Sequence, residues 1–307
     1  MNDTASPLPT LAFYRNYQAF QGGHLKVADY IAHTQASGLF APVLHLSANS
    51  RPDHPFPQGC LTPHWYPRHA SALFLAGMDW AQVPAGIEEE VPVVNLIQHT
   101  RHADRQDPRF AFLSRRAIRI CVSEQVAQAL RATGQVNGPV LTIPAAIDET
   151  MMPAPRMPRQ GVVIAGLKHP DLALDVTRAL AARGIAARAM VTPLARAAYL
   201  ERIASARIAI TLPDPAEGFY LPALEAMAAG CAVICPDAVG NRQFCRDEQT
   251  CLMPSREPDA LAGAARRLIA DPHLAHRLAT AGKAEAQRYS MAAERGAFAE
   301  VLRMLAA

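Results

Sequence analysis

Short, unbroken apolar runs alternate with stretches of helical spacing along almost the whole chain, and this alternation limits the fold more than any other feature. LAFYR (11–15), APVLHLS (41–47), ALFLAG (72–77), VPVVNLIQ (91–98), AIRICVS (117–123) and GPVLTIP (138–144) read as strands of a first half. GVVIAGL (161–167), AARAMV (186–191), ARIAITLP (206–213) and CAVICP (231–236) read as strands of a second half. Between them LKVADYIAHTQASG, EQVAQALRATG, LALDVTRALAARG, RAAYLERIAS, PALEAMAAG and PDALAGAARRLIA carry helical spacing. A strand with no polar alternation is buried on both faces, which requires a parallel sheet covered by crossover helices. The expected fold is therefore α/β, with two tandem Rossmann-like doubly wound domains and a ligand cleft between their C-terminal strand edges.

The length of 307 residues suits two such domains. MMPAPRMPRQG (151–161) is proline-rich and aperiodic, so it reads as the linker, with domains at 1–152 and 153–307. A composition 50% hydrophobic and 19% charged supplies two cores and excludes a disordered or coiled-coil chain. The formal net charge of +3 does not call for a nucleic-acid partner. One local basic patch stands out: Arg101, Arg105, Arg109, Arg115, Arg116 and Arg119, interleaved with Phe110, Phe112 and Leu113. It reads either as a surface for an anionic acceptor or for peripheral contact at the inner face of a membrane, or, the plainer reading, as arginines snorkelling over one helix face. The six cysteines show no CxxC pair and read as reduced thiols. With no signal-peptide pattern at the start and no apolar run long enough to span a bilayer, the expected location is the cytoplasm.

The segment PDPAEGFYLPALEAMAAGCAVICPDAVG (213–240) is the most informative. Pro222 suits a first helical position and Gly230 a helix end, so a two-turn helix is expected over 222–229. Backbone N–H groups at Gly218, Phe219, Tyr220 and Leu221, with the positive end of the helix dipole, form an anion site without any side chain. Glu217 and Glu225 bracket the turn. A carboxylate aimed at phosphate is repelled, so each is better suited to accept from sugar or ribose hydroxyls. Singly, Glu217 reads equally as a solvated loop residue and Glu225 as a helix-face residue. His99 ends an apolar strand at the edge where ligands bind in such sheets, whereas His102 reads as a surface residue.

EGFYLPALEAMAAGCAVI resembles the donor-binding signature of retaining GT-B glycosyltransferases, in particular glycosyltransferase family 4, and the resemblance extends loosely to Gly22-Gly23 after the first strand, the strand ending in His99, ICVS, IPAAID and Lys168. It implies a nucleotide-sugar donor, a glycan or other hydroxyl acceptor, and transfer with retention. It further implies that Glu217 and His99 lie at the reacting sugar, and that Glu225 holds the ribose. Lys168, just after Gly166, would take the diphosphate, Gly22 and Gly23 would give it close backbone approach, and the last helix (about 291–305) would pack back on the first domain. No Asp-x-Asp occurs, so no metal or other cofactor is expected. Where that family carries an arginine after the glycine, this chain has Leu167, which leaves Arg196 as a candidate second cation. An inverting GT-B enzyme or nucleotide-sugar epimerase fits the signature less well, and a catalytically silent nucleotide-sugar-binding scaffold does not need the intact Glu217, Glu225 and Lys168.

Overall fold

The computed structural model describes residues 7–19, 22–154 and 159–306. The chain divides into two compact units, Met1–Ala145 with Glu294–Ala307, and Ala146–Ala293. The division falls at Ala145, ahead of the proline cluster taken as the linker; residues 155–158 of that cluster lie outside the described residues.

The first unit contains β1 (Thr10–Arg15), α1 (Gly22–Ser37), β2 (Ala41–Leu46), β3 (Leu61–Thr62), β4 (Ala72–Ala76), β5 (Val93–Ile97), β6 (Ile118–Cys121), α2 (Glu124–Ala132) and β7 (Val140–Thr142). These strands form one parallel sheet in the order β3-β2-β1-β4-β5-β6-β7. Each strand expected from an apolar run is present. β3 was not anticipated, because two residues are too short for a periodic signal. Between β4 and β6 the crossovers are 3-10 turns, Gly77–Gln82, Ile87–Glu89, Thr100–Ala103 and Pro108–Ser114. Pro84, Pro92 and Pro108, with Gly77 and Gly86 at positive φ, interrupt any longer helix there. Trp80 is buried beneath these turns with Leu73, Leu75, Val83, Ile87 and Val93.

The second unit contains β8 (Val162–Ala165), α3 (Pro170–Ala181), β9 (Ala187–Met190), α4 (Arg196–Ser205), β10 (Ile208–Thr211), α5 (Leu221–Ala228), β11 (Ala232–Ile234), α6 (Pro258–Ala270) and α7 (Pro272–Ala286). Its parallel sheet runs β11-β10-β8-β9. Val162, Ile164, Ile208, Ile210 and Ile234 pack against Val176, Leu180, Leu261, Leu268 and Leu278 of the flanking helices. The α7 helix starts where Asp271 Oδ1 accepts the N–H of Leu274, a side-chain cap.

Helix α8 (Met291–Ala306) carries the chain back, since its residues from Glu294 onward belong to the first unit. There the Phe298 ring stands edge-on to Tyr30 at 4.7 Å and to Phe74 at 5.9 Å. Glu294 Oε2 lies 2.8 Å from Lys26 Nζ and 3.1 Å from His33 Nε2, all three side chains buried. Burial works against both charges, yet Lys26 holds the Glu294 carboxyl below its ordinary range, and Glu294 with Asp29 holds the Lys26 ammonium above its own.

Candidate functional site

In the second unit the chain leaves β8 to one side for β9 and returns on the other for β10, so the loops after β8 and β10 part at a topological switch point. Lys168 stands in the first loop and Glu217 in the second. Lys168 Nζ donates to both Glu217 oxygens, at 2.6 and 2.5 Å, and lies 5.4 Å above the Tyr220 ring. Gly166 is packed so tightly on Ala173 of α3 that a side chain there would overlap its methyl group. Lys168 is also 4.0 Å from Asp214 Oδ2, and His169 Nε2 is 3.1 Å from Asp214 Oδ1.

Pro222 sits in the first turn of α5, and Leu221 opens the helix. The helix ends in two hydrogen bonds, Gly230 N–H to Met227 O at 2.8 Å and Cys231 N–H to Ala226 O at 3.0 Å, with Gly230 at φ 77°. The turn before α5 is held from beneath. Tyr220 N–H donates to Asn241 Oδ1 at 3.1 Å, the fully buried Asn241 donates to Cys235 Sγ at 3.2 Å, and Gly240 N–H donates to Glu217 O at 2.7 Å. Any side chain at Gly240 would run into the carbonyl of Gly218. The Phe219 ring packs on Phe244 and Tyr289 at 5.1 and 5.7 Å. The anion site expected at Gly218 to Leu221 is thus narrower than the sequence suggests, because the N–H of Tyr220 is already used by Asn241.

Glu225 lies one turn into α5 and is 2% exposed. Its Oε1 accepts from Arg196 Nη2 at 2.5 Å, and its Oε2 is buried with no hydrogen-bond partner. Arg196, the candidate second cation for phosphate, is therefore paired with the other glutamate. Tyr199, on the same first turn of α4, also buries an unpartnered hydroxyl, and burial and then Glu225 push its pKa well above the ordinary tyrosine value. An unpaired carboxylate oxygen and an unpaired hydroxyl, both buried, are chemically matched to ligand hydroxyl groups.

The first-unit candidates are placed differently from expectation. Gly22 and Gly23 open α1 instead of lying in a loop before it, and Gln98 Nε2 donates to Gly23 O at 3.3 Å. His99 follows β5 as expected, and its Nδ1 accepts the N–H of Arg101 at 3.0 Å, capping the next 3-10 turn. His102 is buried, contrary to its surface reading, and burial followed by Arg109 lowers its pKa to about 3. His24 of α1 accepts from Arg15 Nη2 at 3.0 Å, and burial with Arg15 lowers its pKa to about 4.

The basic patch is mostly consumed inside the unit. No α-helix forms over 101–119, so there is no helix face for the arginines to cover. Arg115 grips Glu88 at 3.0 and 2.5 Å and lies 4.5 Å over Trp80. Arg119, fully buried, donates to the carbonyls of Phe112, Leu113 and Arg115, and burial lowers its pKa to about 10. Arg116 donates to Glu88 O at 2.8 Å, and Arg109 pairs with Asp107 at 2.8 Å. Four of the six arginines offered for a membrane surface are thus internal or paired, while Arg101 and Arg105 are exposed. Among the described residues no helix is long and apolar enough to cross a membrane, and no three His, Cys, Asp or Glu side chains gather as a metal site. All six cysteines are free.

Residues 145–271, the span that contains Lys168, Arg196, Glu217 and Glu225, match the family model described as Glycosyl transferases group 1. No curated protein matches the chain. Among solved structures the chain is similar to sucrose-phosphate synthase from Thermosynechococcus elongatus, at 16% identity over 97% of this chain and 99% of that one, with a TM-score of 0.74. It is similar to Anabaena HepE in complex with UDP-glucose, at 15% identity over 96% and 99%, with a TM-score of 0.75. A third is an alpha,alpha-trehalose-phosphate synthase (UDP-forming) from Burkholderia vietnamiensis, at 12% identity over 97% and 98%, with a TM-score of 0.69. At such identities the likeness is one of fold: the two parallel α/β units are those of the GT-B arrangement.

Proposed function

We propose that the protein is a glycosyltransferase that moves a sugar from a nucleoside-diphosphate donor to a hydroxyl acceptor, with retention of anomeric configuration and without a metal ion. The observation that carries this reading is the buried Glu225 with an unused acceptor oxygen, one helical turn behind the start of α5 and inside the span matched by the family model. Glu225 takes the ribose hydroxyls, Lys168 and the N-terminus of α5 take the diphosphate, and Glu217 faces the transferred sugar. His99, Gly22 and Gly23 are assigned to sugar and donor through the family resemblance.

On this reading the bond between the anomeric carbon and the diphosphate oxygen breaks, and its electron pair leaves with the diphosphate. Lys168 and the oriented backbone stabilise that charge, an effect worth about a hundredfold or more per donor group in comparable sites. The acceptor oxygen bonds to the same face of the anomeric carbon, and its proton passes to the departing diphosphate oxygen. No enzyme nucleophile is needed. The free state of all six cysteines supports a reducing, cytoplasmic setting.

The test is release of nucleoside diphosphate by the purified chain from UDP-, GDP-, ADP- and dTDP-sugars, uridine donors first because similar structures are named with UDP-glucose. Turnover in EDTA is expected. Absence of turnover with every donor sinks the reading, loss in EDTA restored by manganese removes its metal-free part, and an inverted anomer by NMR removes retention.

A further inference from the structure

Lys168 has an imidazole as its neighbour in the chain. His169, the next residue, occupies the N-cap position of α3, yet its side chain caps no backbone N–H. Its Nε2 is turned toward Asp214 Oδ1 at 3.1 Å, but the two are not aligned for a hydrogen bond, and this buried nitrogen has no hydrogen-bond partner. The geometry follows from strand register. Ala165 and Thr211 are partners on β8 and β10, and Lys168 and Asp214 stand equally far beyond them, 4.0 Å apart, so the two loops meet there.

Two basic side chains, Lys168 and His169, and two carboxylates, Glu217 and Asp214, therefore alternate at the switch point, with contacts of 2.5, 3.1 and 4.0 Å. Asp171, in the first turn of α3, is the other carboxylate near His169 in the chain. Two basic groups side by side on one loop are held together more easily where anions lie between them. Here the carboxylates do so, from partly exposed positions where an ion pair is weak and readily exchanged: 48% exposure for Asp214 and 27% for His169. A diphosphate offers the same two basic groups several oxygens at once, and charge-assisted hydrogen bonds to phosphate are the stronger alternative. Arg196, held by Glu225 at 2.5 Å, is engaged elsewhere.

We infer that His169 is the second phosphate-binding residue of the donor site, and that Asp214 is a built-in competitor whose carboxylate faces the imidazole until a nucleoside diphosphate displaces it. This rests on the reading of the site as one for a nucleoside-diphosphate donor. The substitution His169→Gln removes the imidazole without removing a helix cap. Asp214→Asn removes the competitor.

Calorimetric titration of the full chain with UDP, GDP, ADP and dTDP identifies the best-bound nucleotide, which is then titrated into both variants and their double. His169→Gln is expected to weaken binding about three- to tenfold, Asp214→Asn to tighten it about two- to fivefold, and Asp214→Asn to lose that effect in the His169→Gln background. His169→Arg should restore binding, and the corresponding nucleoside without phosphates should not distinguish His169→Gln from the parent. Equal nucleotide affinity in His169→Gln and the parent overturns the inference alone, as does tightening by Asp214→Asn that persists in the double variant. If the parent binds none of the four diphosphates, the donor-site reading itself fails and takes this inference with it.

Discussion

Glu217 and Glu225 carry the same charge on either side of one turn, but their side chains are 13% and 2% exposed and are held by different cations, Lys168 and Arg196. Their neutral amides should therefore fail differently. A hydrogen bond to a charged group contributes roughly 1.5–3 kcal/mol, about 10- to 150-fold in a constant. Glu225→Gln is expected to raise KM and weaken free nucleoside diphosphate by that factor, while Glu217→Gln lowers kcat and spares nucleotide affinity, because charge develops on the sugar only in the transition state. Initial rates paired with nucleotide titration check this, and loss of nucleotide affinity in Glu217→Gln with normal binding in Glu225→Gln reverses the roles. A second residue-scale expectation concerns acid. His24 and His102 have pKa values of about 4 and about 3 in the fold against an ordinary 6.5. Between those values the unfolded chain binds protons that the folded chain does not, so stability rises with pH there and falls as pH drops from about 6.5 toward 4. Both tryptophans, Trp65 and Trp80, lie in the same unit as these histidines, so urea unfolding followed by tryptophan fluorescence at pH 7 and 4.5 reads it directly. Replacing His102 by Gln should flatten the difference. The two glutamates and Lys168 were legible because their meaning lies in local spacing. Asn241, Asp214 and His169 were not, since each acts through a contact between segments far apart in sequence, and no local pattern marks an asparagine that will end beneath a helix.

Helix α5 is short, and its position depends on what lies under its first turn more than on its own propensity. Asn241 makes two buried hydrogen bonds there, so Asn241→Ala leaves the Tyr220 N–H without an acceptor in the interior at a cost of about 1–3 kcal/mol. The expected outcome is a lower Tm together with weaker nucleoside diphosphate binding. A lower Tm with unchanged affinity would show that the turn keeps its shape without the pin. The strands of both sheets were readable from sequence because burial on both faces leaves an unbroken apolar run. The crossovers of the first unit were harder to read. Helical spacing was assumed between strands, whereas proline and glycine reduce the β4–β5 and β5–β6 connections to 3-10 turns, and those turns draw Arg115 and Arg119 onto Trp80 and out of the expected basic surface.

At the scale of the molecule, the alternation of strands and helices was enough to read two α/β units, but the chain's division is not a single cut: Glu294–Ala307 completes the first unit. Lys26→Met should show how firmly. It takes the Lys26 ammonium from the buried Glu294 carboxylate and leaves His33 beside it, and removing one partner of a buried pair costs about 3–5 kcal/mol. Tryptophan fluorescence should register earlier urea unfolding of the first unit, and an unchanged transition would mean that the buried pair contributes nothing net. The same arrangement sets an order of events during synthesis. The second unit is one continuous stretch and can close as soon as it has emerged from the ribosome. The first unit, made earlier, still lacks the Phe298 ring that fills the space beside Tyr30 and Phe74 and the carboxylate that neutralises Lys26. Released chains truncated after residue 293 should therefore protect the later half from protease and leave the earlier half open, so that the part translated first is the part finished last.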